Sequence, residues 1–309
     1  MTMTENKLLY YDVTYKCNLR CLYCVSEKTN EAYSLDYDAS NYRSVFDNNQ
    51  NCNILHISGG EPTLFKNLIE LCQSARKSFE YVLISTNGIK LSNYTFAKEL
   101  INTNIDVIVV PFISINSDIH DQVVNVKGSF KRLITALQNL SKLCQDSKTC
   151  LFIKVLATQP GIYDLPAMPS FWREHGINPS RVQISGLHLA GKLLDHLEIM
   201  PSGRDLRKNI SEFIYNIGDI PFSVYDLPWC ILEQKALETL IGYGELNFLK
   251  DEEYVKINLN GRKVGKRYSH HFVNCHECQI VKFCNGYYPQ NIEKIGQDLI
   301  AMIKPIKFV

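Results

Sequence analysis

Leu8-Leu9-Tyr10-Tyr11-Asp12-Val13 runs into a loop that holds Cys17-Asn18-Leu19-Arg20-Cys21-Leu22-Tyr23-Cys24. The first six residues have the apolar, aromatic character of a buried strand. The loop places three cysteines at a C-x3-C-x2-C spacing. Three thiolates are one fewer than the four that close a zinc site or a cubane iron–sulfur cluster. Around a four-iron cluster, such a loop leaves one iron with an open position, where a ligand can bind and receive an electron. The alternative reading is a structural zinc loop whose fourth ligand lies elsewhere.

The strand-then-loop pattern recurs through the first two-thirds of the chain. Strands are expected at 8–13, 53–58, 81–85, 106–114, 151–157 and 181–185. Amphipathic helices are expected near 38–46, 64–78, 93–102, 129–144 and 166–175, with apolar residues three and four apart. Six strands alternating with helices imply a parallel sheet with right-handed crossovers. The fold class is α/β, and a partial (β/α)6 TIM-type barrel fits it. In such barrels the ligand lies in the loops at the C-terminal strand ends.

Each motif of this region falls in such a loop. Ser58-Gly59-Gly60-Glu61-Pro62 follows the second expected strand and Ser85-Thr86-Asn87-Gly88 the third. Ser114-Ile115-Asn116 ends the fourth, and Leu187-His188-Leu189-Ala190-Gly191-Lys192 follows the sixth. Paired glycines let a backbone approach a ligand, and a neighbouring carboxylate accepts from an ammonium group. The bland readings are a proline-led turn into a helix for the first and an Asn-Gly turn for the second.

After about Gly191 the pattern changes, which divides the chain into 1–200 and 201–309. Residues 193–249 read as helical segments broken at Pro201, Pro221 and Pro228. A hairpin is expected from 254–258 and 263–268 around Asn260-Gly261, which supplies the positive φ angles of a tight turn. It leads into Cys275-x2-Cys278-x5-Cys284, and Cys230 brings the thiolates to four. Four ligands close a site, making it electron-transferring or structural: an iron–sulfur cluster or a zinc knot. His270, His271 and His276 are read as groups beside that site or on the surface, and Asp251-Glu252-Glu253 as a solvated turn.

The net charge of +1 gives no general attraction for nucleic acid or an anionic membrane. No apolar run approaches the ~20 residues that span a bilayer, and the first residues carry no secretory signal. A cytoplasmic protein is expected. Eleven cysteines, an odd number grouped at ligand spacings, argue for metal or cluster binding over disulfides. Cys52, Cys72, Cys144 and Cys150 sit among apolar residues and are read as packing.

The cysteine loop, GGEP and Thr-Asn-Gly together resemble the radical S-adenosylmethionine (SAM) enzymes. The resemblance implies that Cys17, Cys21 and Cys24 hold a [4Fe–4S] cluster whose fourth iron chelates SAM, with Tyr23 beside the adenine. It implies SAM contacts from Gly59, Gly60 and Glu61 to the amino group, and from Ser85 or Asn87 to the carboxylate or ribose. Ser114 and Asn116 occupy a ribose-contacting position, although the family often has aspartate where Asn116 stands. His120-Asp121 and Gly128-Ser129-Phe130 also resemble the family. They are assigned to loop structure, with His120 a satisfied structural histidine and Ser129 a helix cap. His188 at the barrel mouth is a candidate proton donor or substrate contact.

The last third resembles the auxiliary-cluster region of SPASM and twitch members, a small α+β domain in which Cys230, Cys275, Cys278 and Cys284 hold a second [4Fe–4S] cluster. No cysteine follows Cys284, which departs from the full SPASM pattern and leaves ligands for one auxiliary cluster. The resemblance implies a 5′-deoxyadenosyl radical that takes a hydrogen atom from substrate, with the auxiliary cluster accepting an electron. Oxidative modification or crosslinking of a peptide is the expected reaction. The alternative is a dehydrogenase or epimerase acting on a sugar, aminoglycoside or nucleoside. A non-catalytic zinc- or cluster-binding protein is the remaining class. About sixteen residues precede Cys17, so no leader-binding domain is expected there. A separate recognition protein and a flavodoxin or ferredoxin reductant are the expected partners.

Overall fold

The computed structural model describes residues 7–25, 39–242, 253–258, 261–266, 273–278 and 284. All six expected strands form: β1 (Leu8–Asp12), β2 (Ile54–Ser58), β3 (Tyr81–Ser85), β4 (Val107–Phe112), β5 (Cys150–Leu156) and β6 (Arg181–Ser185). Each pairs in parallel with the next in chain order. The crossovers carry α1 (Tyr42–Asp47), α2 (Leu68–Ser78), α3 (Tyr94–Ile101), α4 (Ser117–Val124), α5 (Ser129–Gln145) and α6 (Met168–Glu174). The expected helix at 38–46 begins outside the described residues.

Side chains alternate across the sheet, as the period of two requires. One set, including Leu9, Tyr11, Leu55, Ile57, Ile84 and Ile153, is fully buried in the core. The other set contains Tyr10, His56, Phe152, Lys154, Arg181 and Gln183, all half-buried. Closed TIM barrels fill their interior with layers of branched apolar side chains. Here the corresponding face mixes polar side chains with apolar ones, Val107, Val109 and Pro111 of β4 among the latter.

The sheet is longer than the six strands expected. After α7 (Gly203–Asn216), β7 (Phe222–Tyr225) pairs in parallel with β6, so the sheet continues past residue 200. Beyond α8 (Gln234–Gly242), β8 (Glu253–Asn258) and β9 (Gly261–Lys266) form the expected hairpin. β8 also pairs in parallel with β1, giving the order β7-β6-β5-β4-β3-β2-β1-β8-β9. Among the described residues no helix is long and apolar enough to cross a membrane.

The start of α5 is held differently from the expectation. Ser129 is its first residue, not its cap. The Asp121 carboxylate accepts from the Phe130 N–H at 2.8 Å, from the Ser129 hydroxyl at 2.6 Å and from the Gly128 N–H. A carboxylate at a helix N-terminus satisfies orphan donors and opposes the positive end of the dipole. These hydrogen bonds outweigh burial and hold the Asp121 carboxyl below its ordinary range.

Candidate active site

Beyond their last residues, β1 and β2 remain zipped together. The Val13 N–H donates to Ser58 O at 2.9 Å, Gly60 N–H to Thr14 O at 2.6 Å, and Glu61 N–H to Lys16 O at 2.8 Å. The segment so held leads directly into Cys17. A Cβ on Gly60 would sit 2.6 Å from Tyr15 O, and one on Gly59, at φ +131°, would run into Thr14 O. The glycines are therefore required by backbone-to-backbone packing, whatever else they contact.

The cysteine loop is fixed from two further sides. Arg20 and Leu22 donate their N–H groups to Val124 O and Val123 O, at the end of α4, both at 3.0 Å. The Lys192 N–H donates to Cys24 O at 2.9 Å, and Gly191 packs beneath it at φ +58°, leaving no room for a Cβ against Cys24 and Val25. The stretch after β6 that was singled out for His188 thus also braces the cysteine loop.

Cys17, Cys21, Cys24 and Tyr23 line one cavity of about 380 Å³ together with Gly59, Gly60, Glu61, Ser85, Asn87 and His188. Burial, followed by the charge of Cys21, Cys24 and Cys17, pushes the Tyr23 phenol well above its ordinary pKa. None of the eleven cysteines forms a disulfide. Among the described residues, no three His, Cys, Asp or Glu side chains are gathered as a site for a single metal ion. Three thiolates along a cavity wall, beside a backbone cradle, are a donor set that would fit a four-iron cluster.

Glu61 does not present its carboxylate to the cavity. It is fully buried, with Oε1 accepting from the Thr63 N–H (3.0 Å), the Thr63 hydroxyl (2.5 Å) and the Thr86 hydroxyl (2.5 Å). Its Oε2 accepts from the Asn87 N–H at 2.6 Å. Burial raises its pKa and the four donors lower it, with burial the larger effect. In this structure the carboxylate has a protein role: it joins the GGEP turn to the Thr-Asn-Gly loop.

Ser85 Oγ lies 2.7 Å from His56 Nε2 on the cavity side of the sheet, and His56 packs on Tyr10. Ser114 and Asn116, expected at the ribose, do not line the cavity. Ser114 is buried, donates to the Asp164 carboxylate and accepts from the Asn116 N–H at 2.8 Å. The Asn116 carboxamide caps α4, accepting from Asp118 and Ile119 N–H at 2.8 and 3.3 Å.

His188 reaches the cavity with a partner that the sequence did not suggest. Its Nε2 is 2.7 Å from Asp226 Oδ2, and that carboxylate also accepts from the buried Ser185 hydroxyl at 2.9 Å. Asp226 follows β7 in a left-handed conformation, φ +57°, which few residues other than glycine, asparagine and aspartate adopt. Asp12 and Lys154 also line the cavity and were likewise missed. The available signal was polar residues at alternate positions inside otherwise apolar strands.

At the second cysteine group, the Trp229 N–H donates to the buried Cys284 sulfur at 3.3 Å, which brings Cys284 to the neighbour of Cys230. The Cys278 N–H donates to Cys275 O at 3.0 Å. His276 is exposed and sits 3.7 Å from Glu277, while His270 and His271 lie outside the described residues.

His120, in α4, is buried as expected of a structural histidine, but Nδ1 has no hydrogen-bond partner among the described residues. Burial pushes its pKa down to about 4. An unfolded histidine titrates near 6.5. Between these values the unfolded chain takes up a proton that the fold refuses, so stability falls as pH falls, by about 3 kcal/mol in total. His120→Leu is expected to flatten the melting-temperature profile of the metal-free protein between pH 6.5 and 4.5. A wild-type slope in that variant would place the acid sensitivity elsewhere.

Residues 11–159 match the family model of the radical SAM superfamily. The chain carries a radical SAM domain. Similar proteins include the mycofactocin maturase MftC of Mycolicibacterium smegmatis, 24% identical over 214 residues that span 68% of this chain and 52% of that one. A probable GTP 3′,8-cyclase of Methanocaldococcus jannaschii is 26% identical over 70% of this chain and 65% of that one. The match thus spans about half the length of the maturase and two-thirds of the cyclase. Streptococcus suis SuiB bound to S-adenosylmethionine shares the fold with a TM-score of 0.62 at 14% identity, over 92% of this chain and 73% of that one. SuiB has also been solved bound to its precursor peptide SuiA, with a TM-score of 0.58 over 82% of this chain and 58% of that one. The matched residues include the whole cysteine loop, GGEP, Thr-Asn-Gly, the end of β1 and all of β2 to β5.

Proposed function

We propose that the chain is a radical SAM enzyme that oxidatively modifies or crosslinks a peptide, with Cys230, Cys275, Cys278 and Cys284 holding an auxiliary [4Fe–4S] cluster. The observation that carries this reading is the convergence of three thiolates, Tyr23 and the Gly59–Gly60 backbone on one cavity at the C-terminal ends of the strands. A four-iron cluster bound there and reduced by an external donor would supply the electron, and SAM the 5′-deoxyadenosyl radical, for taking a hydrogen atom from substrate. The chain's residues bind, orient and shield, as is general where the cofactor carries the difficult chemistry. Gly59 and Gly60 hold backbone against the ligand, Ser85 and Asn87 offer polar groups from the wall, and Tyr23 covers one side.

His188 is the acid–base group of this reading. Asp226 and Ser185 orient its ring, and the left-handed Asp226 has the sparsely populated kind of backbone conformation that gathers at functional sites. The peptide class is supported by the likeness to SuiB, which binds a precursor peptide. The match to a GTP 3′,8-cyclase supports the alternative, a small-molecule substrate of nucleoside type. A flavodoxin or ferredoxin reductant, a separate recognition protein and a cytoplasmic location belong to the same reading.

The test is iron, sulfide and zinc per chain after anaerobic reconstitution, together with dithionite-driven cleavage of SAM to 5′-deoxyadenosine. About eight irons, falling to about four in Cys275→Ala/Cys278→Ala, are expected. About four irons and one zinc, the zinc lost in the variant, would remove the electron-accepting role. A chain that takes up no iron and cleaves no SAM is not this enzyme. With substrate, His188→Gln is expected to slow product formation about 10²-fold with SAM cleavage retained, and equal rates remove His188 from the chemistry.

A further inference from the structure

The Asn87 side chain stands where the Thr-Asn-Gly loop meets the cysteine loop, and its orientation is fixed. Its Oδ1 accepts from the Ile89 N–H at 3.0 Å, the two-residue turn that asparagine favours. That contact identifies the oxygen end of the amide, so the other end is the donor with two hydrogens. The donor Nδ2 is 2.7 Å from Asn18 Oδ1 and 3.9 Å from Cys17 Sγ. Its own N–H is held by Glu61 at 2.6 Å, so the buried carboxylate anchors the residue that reaches the cysteine. Cys17 also accepts from the Leu19 N–H at 3.5 Å.

We propose that Asn87 is a positioning residue for the cluster, not only a wall of the SAM pocket: it clamps the Cys17 corner of the loop and raises the cluster's reduction potential through N–H···S donation. The inference rests on the reading that these cysteines hold a four-iron cluster. Hydrogen bonds to cluster sulfurs and the groups around them set the potential within a cluster type. Reduction adds negative charge that spreads onto the thiolates. A donor aimed at one of them stabilises the reduced form more than the oxidised form. The Asn18 contact divides the labour: one amide hydrogen fixes the loop and the other faces the sulfur.

Asn87→Asp keeps the shape and the acceptor for Ile89, but turns a carboxylate oxygen toward Asn18 and the thiolate. Asn87→Ala removes the donor without adding charge. Asn18→Ala removes the neighbouring contact and leaves the Cys17 donor in place. The experiment is an EPR-monitored titration with dithionite in the absence of SAM. It is made on reconstituted Cys275→Ala/Cys278→Ala protein, so that only the first cluster is read. Iron per chain and the thermal midpoint of the metal-free protein are measured alongside. The midpoint potential is expected to move negative in Asn87→Ala and further in Asn87→Asp, with Asn18→Ala close to the parent. Failure of Asn87→Asp to retain iron on a folded metal-free chain also supports the clamp. Unchanged potentials in both Asn87 variants, or metal-free chains of both that do not fold, overturn the proposal. If the parent takes up no iron, the cluster reading itself fails, which is a separate result.

Discussion

Gly60→Ala is expected to abolish iron uptake in a chain that still folds. The added Cβ would meet Tyr15 O at 2.6 Å and Tyr15 C at 2.7 Å. These are backbone atoms of the segment that delivers Cys17. A flexible side chain could turn away, but this backbone is tied on both sides of the contact, through Thr14 O and Lys16 O. Relief therefore requires the two strand extensions to part, which carries Cys17 away from Cys21 and Cys24. The cost to folding is that of ordinary overpacking, about 1–3 kcal/mol, because the rest of the sheet keeps its pairing. The cost to cluster binding is larger, since three thiolates must meet one cubane. Iron is expected to fall from about four per chain at this site to below about one, with far-UV circular dichroism unchanged. Gly176→Ala is the control: φ there is +66°, but a Cβ would meet nothing within 4 Å. It is expected to lose some stability and no iron. Wild-type iron in Gly60→Ala would show that the zipper does not set the position of Cys17.

The parallel sheet was readable because each of its first six strands has an apolar run or an apolar alternation of its own. β7 was not. Phe222-Ser223-Val224-Tyr225 is four residues long, sits between Pro221 and Asp226, and reads as the break between two helices. It becomes a strand because the exposed edge of β6 supplies partners from Val182 to Ser185, which no local pattern announces. Missing β7 concealed Asp226, and with it the partner of His188. α4 was likewise missed. It is eight residues long, and its start is fixed by the Asn116 side chain, which the motif had assigned to a ligand.

Motif reading located the cavity, and the structure gives some of its residues protein contacts that the motifs did not announce. The three cysteines, Tyr23, both glycines, Ser85 and Asn87 share one cavity as the spacing implied. A motif records which residue types recur near a ligand but not whether they touch it. Gly60 is required by the Thr14–Lys16 backbone, Asn116 by α4, and Glu61 by two threonines and an amide. The polar part of the inner face was legible in principle. Tyr10 and Asp12, His56 and Ser58, and Arg181, Gln183 and Ser185 place polar groups at every second residue. Strands of a parallel sheet covered on both faces read as near-continuous apolar runs instead.

Glu61→Gln separates the two roles that this residue has been given, because they predict different things in the absence of any ligand. A carboxylate kept for the SAM ammonium is idle in the metal-free chain, and neutralising a buried charge there would leave stability unchanged or improve it. The structure predicts a loss. Glu61 supplies only acceptors to four donors, two of them backbone N–H groups, from Thr63 and Asn87. Glutamine replaces one acceptor by an NH2 group. The two threonine hydroxyls can rotate to accommodate it, but whichever way the amide lies, one of the two backbone N–H groups loses its acceptor. A buried donor left unsatisfied costs about 1–3 kcal/mol, and the urea midpoint of the metal-free variant should fall accordingly. The pH dependence has a definite sign. Because burial raises the folded-state pKa of Glu61 above its unfolded value, the stability linked to its proton is full at low pH and is lost as pH rises through the folded pKa. The gap between wild type and variant should therefore be widest near pH 4.5 and narrow toward neutrality. Equal urea midpoints, with SAM affinity lost in the variant by equilibrium dialysis of the reconstituted protein, would return Glu61 to the ligand. A lower midpoint in the metal-free chain makes it the residue that holds Asn87, and through Asn87 the first cysteine, in place.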